Sequence, residues 1–207
     1  MNIAVITGST ETSPSLTAFF AAAPCIFCKD LSSVPHHADA VIDLDFSYSE
    51  ERMEALRSLL PRTILVNSVL HTLGELNAPF IRFNGWPGFM NTQAMEIAVD
   101  DNNRKHAQQL FDKLKWNDVV CPDIPGFIVP RVVSMIINEA YFAFGEGVSS
   151  KNEIDVAMKL GTNYPYGPFE WSGLIGTGHV YALLKKLSAT DARYTPAPEL
   201  EKEINNR

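Results

Sequence analysis

The chain has 207 residues, a formal net charge of −7 and 46% hydrophobic residues. That length holds one large domain or two small ones around a proper core, and the acidic balance, with no lysine- or arginine-rich block, argues against nucleic acid or an anionic membrane surface as the main partner. Three cysteines, a start that reads directly as a strand and no apolar run of membrane-spanning length lead us to expect a reduced, cytoplasmic protein.

Asn2–Thr7 (NIAVIT) is a β-branched run ending at Gly8 and reads as the first buried strand of a parallel α/β sheet. Ser15–Ala23 follows as a brief helix and Cys25–Cys28 as a second strand. Strand alternation sends these two thiols to opposite faces, which makes them buried strand cysteines. With His36 and His37 downstream the alternative is a zinc site, although the spacing fits no usual zinc pattern. Asp30 lies 22 residues after Gly8, near the distance at which a Rossmann acid meets the cofactor ribose, so Gly8 and Asp30 are the candidate dinucleotide contacts. The loop from Gly8 to Ser13 nevertheless holds one glycine where the fingerprint has three. Thr10 stands where a second glycine lets the backbone reach the pyrophosphate, and Glu11 adds a negative charge beside it.

Ala38–Phe46 is a third strand, separated from the second only by Leu31–His37. Such a segment bridges roughly 23 Å when extended, room for a bare loop and not for a helix. Ser49–Leu60 is an amphipathic helix with a serine cap, an acidic first turn, and Met53, Leu56, Leu59 and Leu60 on one face. Strands follow at Thr63–Asn67 and Pro79–Phe83, then a helix at Asn103–Leu114 and a short strand at Asp118–Cys121. A domain boundary is expected near Pro122, giving domains 1–122 and 123–207.

Beyond it, Phe127–Phe144 is apolar on nearly every face and should be buried on most sides. Gly145 and Gly147 stop it. Ser149 and Ser150 with Glu153 cap a second helix, which carries Ile154, Ala157, Met158 and Leu160 on one face and breaks at Gly161. The charged segment Pro198–Asn206 reads as a short terminal helix.

Four ordered blocks in this half stand out: Pro125-Gly126-Phe127-Ile128-Val129; Ile154-Asp155 with Ala157-Met158-Lys159-Leu160-Gly161; Tyr164-Pro165-Tyr166-Gly167-Pro168-Phe169-Glu170; and Asp191 with Arg193-Tyr194 and Pro196-Ala197-Pro198. Together they closely resemble the C-terminal domain of the 3-hydroxyacyl-CoA dehydrogenases, and a weaker resemblance reaches back to about Ala38. The resemblance implies an α/β plus all-α chain, in which a truncated Rossmann-like parallel sheet domain precedes a helical C-terminal dehydrogenase domain. It also implies NAD-dependent interconversion of 3-hydroxyacyl-CoA and 3-ketoacyl-CoA, and a homodimer paired through the helical domain.

The family resembled here removes the hydroxyl proton with a His-Glu pair and a nearby Asn, and imidazole held by a carboxylate suits pH 7. Anchored on Met95-Glu96-Ile97, the resemblance retains the acid as Glu96, puts Asn84 at the histidine position and puts Pro130 at the asparagine position. The turn after Asn67 resembles the family's serine-containing loop, which makes Ser68, with His71 close by, the candidate substrate contacts. Trp86-Pro87-Gly88 forms a rigid turn where the family places its own active-site turn. The helix pair that the family inserts between its second and third strands, part of its acyl-CoA cleft, is absent from the sequence. Two functional readings follow: an NAD-linked 3-hydroxyacyl-CoA dehydrogenase-like protein with a remodelled site, or a non-catalytic dimeric acyl-CoA-binding or interaction protein.

Overall fold

Ile3–Ile6 forms β1, and every one of its residues is buried, as expected for a β-branched strand covered on both faces. The computed structural model describes residues 1–8, 14–90 and 94–206; the loop positions Thr10 and Glu11 lie outside them. Around β1 are β2 (Cys25–Cys28), β3 (Ala40–Asp43), β4 (Thr63–Asn67), β5 (Ile81–Phe83), β6 (Ala94–Ala98) and β7 (Asn117–Val120). They form one sheet in the order β2-β1-β3-β4-β5-β6-β7, parallel throughout except for the antiparallel β5–β6 pair. Between β2 and β3 the chain makes only a three-residue 3-10 turn at Leu31–Ser33.

Two helices cover the sheet faces. In α4 (Arg104–Leu114), Ala107, Leu110, Phe111 and Leu114 recur at helical spacing and pack with Ile3, Val5, Ile42, Leu65, Phe83 and Ile97. In α2 (Glu50–Arg57), Met53 and Leu56 join Ile64, Val66 and Phe80 in a second cluster. Each such buried side chain is worth about 1.5–3 kcal/mol relative to exposure. Ser49 caps α2 as expected, its hydroxyl accepting from the Arg52 N–H at 3.1 Å. A six-residue helix, α1 (Pro14–Phe19), and a single turn, α3 (Leu73–Leu76), complete this part. The strand β6 escapes the sequence reading because AMEIA carries a carboxylate at its centre, which interrupts a run too short to declare its period.

Residues 1–85 and 89–127 make up this unit, and 86–88 with 128–207 make up a second. The sequence boundary near Pro122 falls five residues before this division. Residues 123–127 are fastened to the sheet unit: Asp123 pairs with Arg82, the Gly126 N–H donates to the Val69 carbonyl at 2.8 Å, and Phe127 lies under the Arg82 guanidinium at 4.8 Å. Gly126 has φ +90°, a conformation that glycine adopts without penalty, which accounts for the Pro-Gly-Phe block.

The second unit holds α5 (Val129–Gly145), α6 (Lys151–Thr162), α7 (Pro168–Ile175), α8 (Thr177–Ser188) and α9 (Pro198–Asn205). The blocks read from the sequence prove to be its joints. Asp155 on α6 is buried, and its two carboxylate oxygens accept from the Phe169 N–H at 2.8 Å and the Glu170 N–H at 3.2 Å, capping α7 from another helix. A Cβ on Gly167 would collide with the Asp155 side chain, so the glycine is sterically required. Asn138, buried in α5, donates to the Thr195 carbonyl at 2.9 Å and accepts from the Ala197 N–H at 2.8 Å. Tyr194 accepts from Arg131 and Arg193, each at 2.8 Å. Lys151 lies 5.0 to 5.2 Å from the ring centroids of Tyr141, Phe144 and Phe169 and 2.6 Å from Glu203, which also accepts from the Tyr141 hydroxyl. Burial and that carboxylate push the Tyr141 phenol up to about 12.

One expectation for this unit is corrected: Gly161 does not end α6, which runs to Thr162 and stops where Asn163 turns left-handed at φ +57°. The helix α5 is buried or half-buried over most of its length, as expected, with Pro130, Val133, Ile137 and Tyr141 buried and Val132 56% exposed. Among the described residues no helix is long and apolar enough to cross a membrane.

Candidate functional site

In an open α/β sheet the ligand crevice lies at the carboxyl ends of the strands where the order reverses. Here that point is between β1 and β3, because the chain goes from β1 outward to β2 and then back across to β3. Gly8 lies two residues beyond β1, after Thr7, whose N–H still donates to the Cys28 carbonyl of β2 at 3.0 Å; the Gly8 N–H is turned elsewhere. It donates to the carboxylate of Asp45, two residues beyond β3. Asp30, two residues beyond β2, is fully exposed and caps the 3-10 turn, with Oδ1 accepting from the Ser32 hydroxyl at 2.6 Å and the Ser33 N–H at 3.0 Å. These bonds, the Ser32 hydroxyl first, hold its carboxyl below the usual range.

Asp43 ends β3 with no exposed surface, and the Arg52 guanidinium meets it with two bonds, at 2.6 and 2.9 Å. Burial still leaves the Asp43 carboxyl above its ordinary value, with Arg52 pulling the other way.

Against this geometry NAD fits poorly. The pyrophosphate of a dinucleotide normally lies on loop amides and a helix N-terminus. At this edge the Gly8 amide is engaged by a carboxylate. The helix that follows is six residues long and opens on Pro14, which has no N–H to offer.

Further along the same edge, the antiparallel pairing of β5 with β6 brings Asn84 and Glu96 together. The Asn84 N–H donates to the Glu96 carbonyl at 3.0 Å, and the side-chain amide donates to Glu96 Oε2 at 2.9 Å, both residues being buried. Cys121 is close enough that Glu96, after burial, raises its thiol pKa. Asn67, at the end of β4, bridges the Leu44 carbonyl at 3.0 Å and the Gly85 N–H at 3.0 Å. A Cβ on Gly85 would come within 2.7 Å of Asn67.

The remaining candidates are held by local structure. Ser68 is buried and its hydroxyl donates to the His71 carbonyl at 2.9 Å, while the half-buried His71 ring stacks on Tyr48 with centroids 4.5 Å apart. Pro130 belongs to the helical unit, in the first turn of α5, where its missing N–H costs little. Cys25, Cys28 and Cys121 are free, and burial raises Cys25 to about 11. Among the described residues no three metal-ligating side chains gather.

Sequence reasoning passed over two residues at this edge. Arg82 is fully buried, yet its guanidinium donates to the Ser68 carbonyl at 3.0 Å and pairs with Asp123. Asp45 carried no motif. The only signal was its place, two residues after a strand that ends at the switch point.

A mostly parallel Rossmann-like sheet followed by a helical unit is thus the class that the fold defines. Residues 126–207 match 3-hydroxyacyl-CoA dehydrogenase, C-terminal domain. Over 110 residues the chain is 36% identical to a 3-hydroxybutyryl-CoA dehydrogenase of Bradyrhizobium diazoefficiens, covering 52% of this chain and 38% of that protein. Over 124 residues it is 44% identical to a 3-hydroxyadipyl-CoA dehydrogenase of Escherichia coli, covering 59% of this chain and 26% of that one. The matched part is therefore well under half of either relative's length. The crystal structure of a (S)-3-hydroxybutyryl-CoA dehydrogenase from Ralstonia eutropha shares the fold, with a TM-score of 0.77, 19% identity, and coverage of 99% of this chain and 93% of that one. The likeness to the 3-hydroxyacyl-CoA dehydrogenases is thus strongest in residues 126–207, which match that family's C-terminal domain.

Proposed function

We propose that this chain is a family member that has kept the scaffold without the proton-transfer chemistry, and that it acts as a dimeric acyl-CoA-binding or interaction protein. The observation that carries this reading is the Asn84–Glu96 pair, buried and hydrogen-bonded at 2.9 Å. Oxidising a secondary alcohol needs a base for the hydroxyl proton, and imidazole oriented by a carboxylate is suited to pH 7. An asparagine amide occupies that carboxylate here, and it neither gains nor loses a proton near neutrality. Pro130 cannot donate a hydrogen bond in place of an asparagine.

The homodimer is supported by the apolar side chains left exposed on the helical unit, among them Ile128 and Val132 around the start of α5 and Val156 and Leu160 on α6. Three free thiols support the cytoplasm as its compartment. The second reading, NAD-linked interconversion of 3-hydroxyacyl-CoA and 3-ketoacyl-CoA, is favoured by the names of the relatives. One experiment separates the two: NADH absorbance followed with acetoacetyl-CoA as substrate, beside calorimetry with CoA. The proposal expects no turnover above background together with CoA binding or a stable dimer. Turnover at ordinary enzyme rates would sink it.

A further inference from the structure

We infer that Asp45 is the residue that closes the switch-point crevice to a dinucleotide. Its carboxylate accepts the Gly8 N–H, the amide that opens the loop after β1. A phosphate oxygen of a dinucleotide would need that donor, and would meet a like charge at hydrogen-bonding distance.

Three further features leave the charge uncompensated. Arg52, the cation of the neighbouring helix, is committed to Asp43 by both of its bonds and has no geometry left for a phosphate at Asp45. Asp30, on the adjacent strand end, stands where a Rossmann acid meets the cofactor ribose, and it brings no cation to offset the Asp45 charge. The helix beyond the loop is short and begins with Pro14, so it offers neither a long dipole nor a full set of amides. Asp45 itself is exposed, and the block is therefore a local charge and not a packed wall.

This inference concerns binding and shares with the proposed function only the expectation that NAD-linked turnover is missing. The test is calorimetric titration of the full chain with NADH, for the unaltered protein and for Asp45→Ala, Asp45→Asn and Asp39→Ala. Asp39 precedes β3 at the opposite end of the same strand, so its replacement changes net charge equally without touching the crevice. The unaltered chain and Asp39→Ala should show no saturable binding up to the order of 1 mM. Asp45→Ala should gain affinity by about tenfold or more, the range expected for removing one like charge beside a phosphate near a protein surface. Asp45→Asn removes the charge but keeps an acceptor for the Gly8 amide, and should gain less.

Saturable NADH binding by the unaltered chain overturns the inference. So does a lack of gain in both Asp45 variants when their circular dichroism and thermal melts match the parent. If Asp45→Ala does not fold, the isosteric Asp45→Asn decides. The two proposals fail separately: NADH binding without turnover sinks the gate alone, whereas turnover sinks both.

Discussion

Replacing Asp123 by alanine should destabilise the sheet unit more than replacing Arg82 by methionine, even though arginine is much the larger side chain. Arg82 has no exposed surface, and its charge is supported by the Asp123 carboxylate, by the Ser68 carbonyl at 3.0 Å and by the Phe127 ring at 4.8 Å. Burial pulls the Arg82 pKa down and Asp123 pushes it back up. Removing Asp123 leaves a guanidinium in the core with only carbonyl and ring partners, and it strips the acceptor from the Leu73 N–H, which donates to the same carboxylate at 2.9 Å. Breaking a buried pair in this way costs about 3–5 kcal/mol. The Asp123 side chain is 33% exposed, so solvent screens part of the loss and we set the expectation at about 2–4 kcal/mol. Arg82→Met removes the charge together with its need for a partner and fills most of the same volume. Its cost is the loss of the donor to a buried carbonyl, about 1–3 kcal/mol. The double variant should then cost less than the sum of the two, because most of the Asp123 penalty exists only while the guanidinium is present, the Leu73 N–H losing its acceptor in either background. Urea unfolding read by both tryptophan fluorescence and circular dichroism gives all three values. An Asp123→Ala cost below that of Arg82→Met, or strict additivity in the double variant, would refute the argument.

Gly167→Ala should destabilise the helical unit by about 1–3 kcal/mol through the collision with Asp155, read from urea midpoints. Combined with Asp155→Ala the cost should be less than additive, since the collision disappears while two α7 amides lose their cap. Glu153 is held down to about 2 by the Ser149 hydroxyl first and then by Ser150. The sign follows: the stabilisation it provides is present above its ordinary value of 4.5 and is lost as pH falls toward about 2. A carboxyl-carbon NMR titration should find it there, and Ser149→Ala with Ser150→Ala should move it toward 4.5, the loss of the Ser150 cap costing about 1 kcal/mol. Leu160→Glu, at a site 82% exposed, should leave the fold intact and shift sedimentation from dimer to monomer at micromolar concentration; a monomeric parent would count against the dimer.

The sequence by itself determined whatever depends on short-range periodicity and capping. β4 at Thr63–Asn67 and β2 at Cys25–Cys28 were legible from β-branched and apolar runs, α4 from its four apolar residues at helical spacing, and the start of α6 from Ser150 and Glu153 three residues apart. The four C-terminal blocks also carry the family resemblance, and they hold specific joints of the helical unit: Gly126 at positive φ, Gly167 against Asp155, Tyr194 hydrogen-bonded by two arginines. What those blocks hold in place became visible only in three dimensions.

Tertiary structure alone decided the contacts that bear on function. Asn84 meets Glu96 because β5 and β6 run antiparallel, an orientation that no propensity in Ile81–Phe83 or Ala94–Ala98 declares. Asp45 reaches Gly8 across 37 residues because β1 and β3 are neighbours in register, and Arg82 reaches Asp123 across 41 residues because the segment before α5 folds back on the sheet unit. A charged residue in a sequence reads as surface unless its partner is known. Strand order and register supply the partner, and with it the difference between a solvated carboxylate and one that decides what the crevice admits.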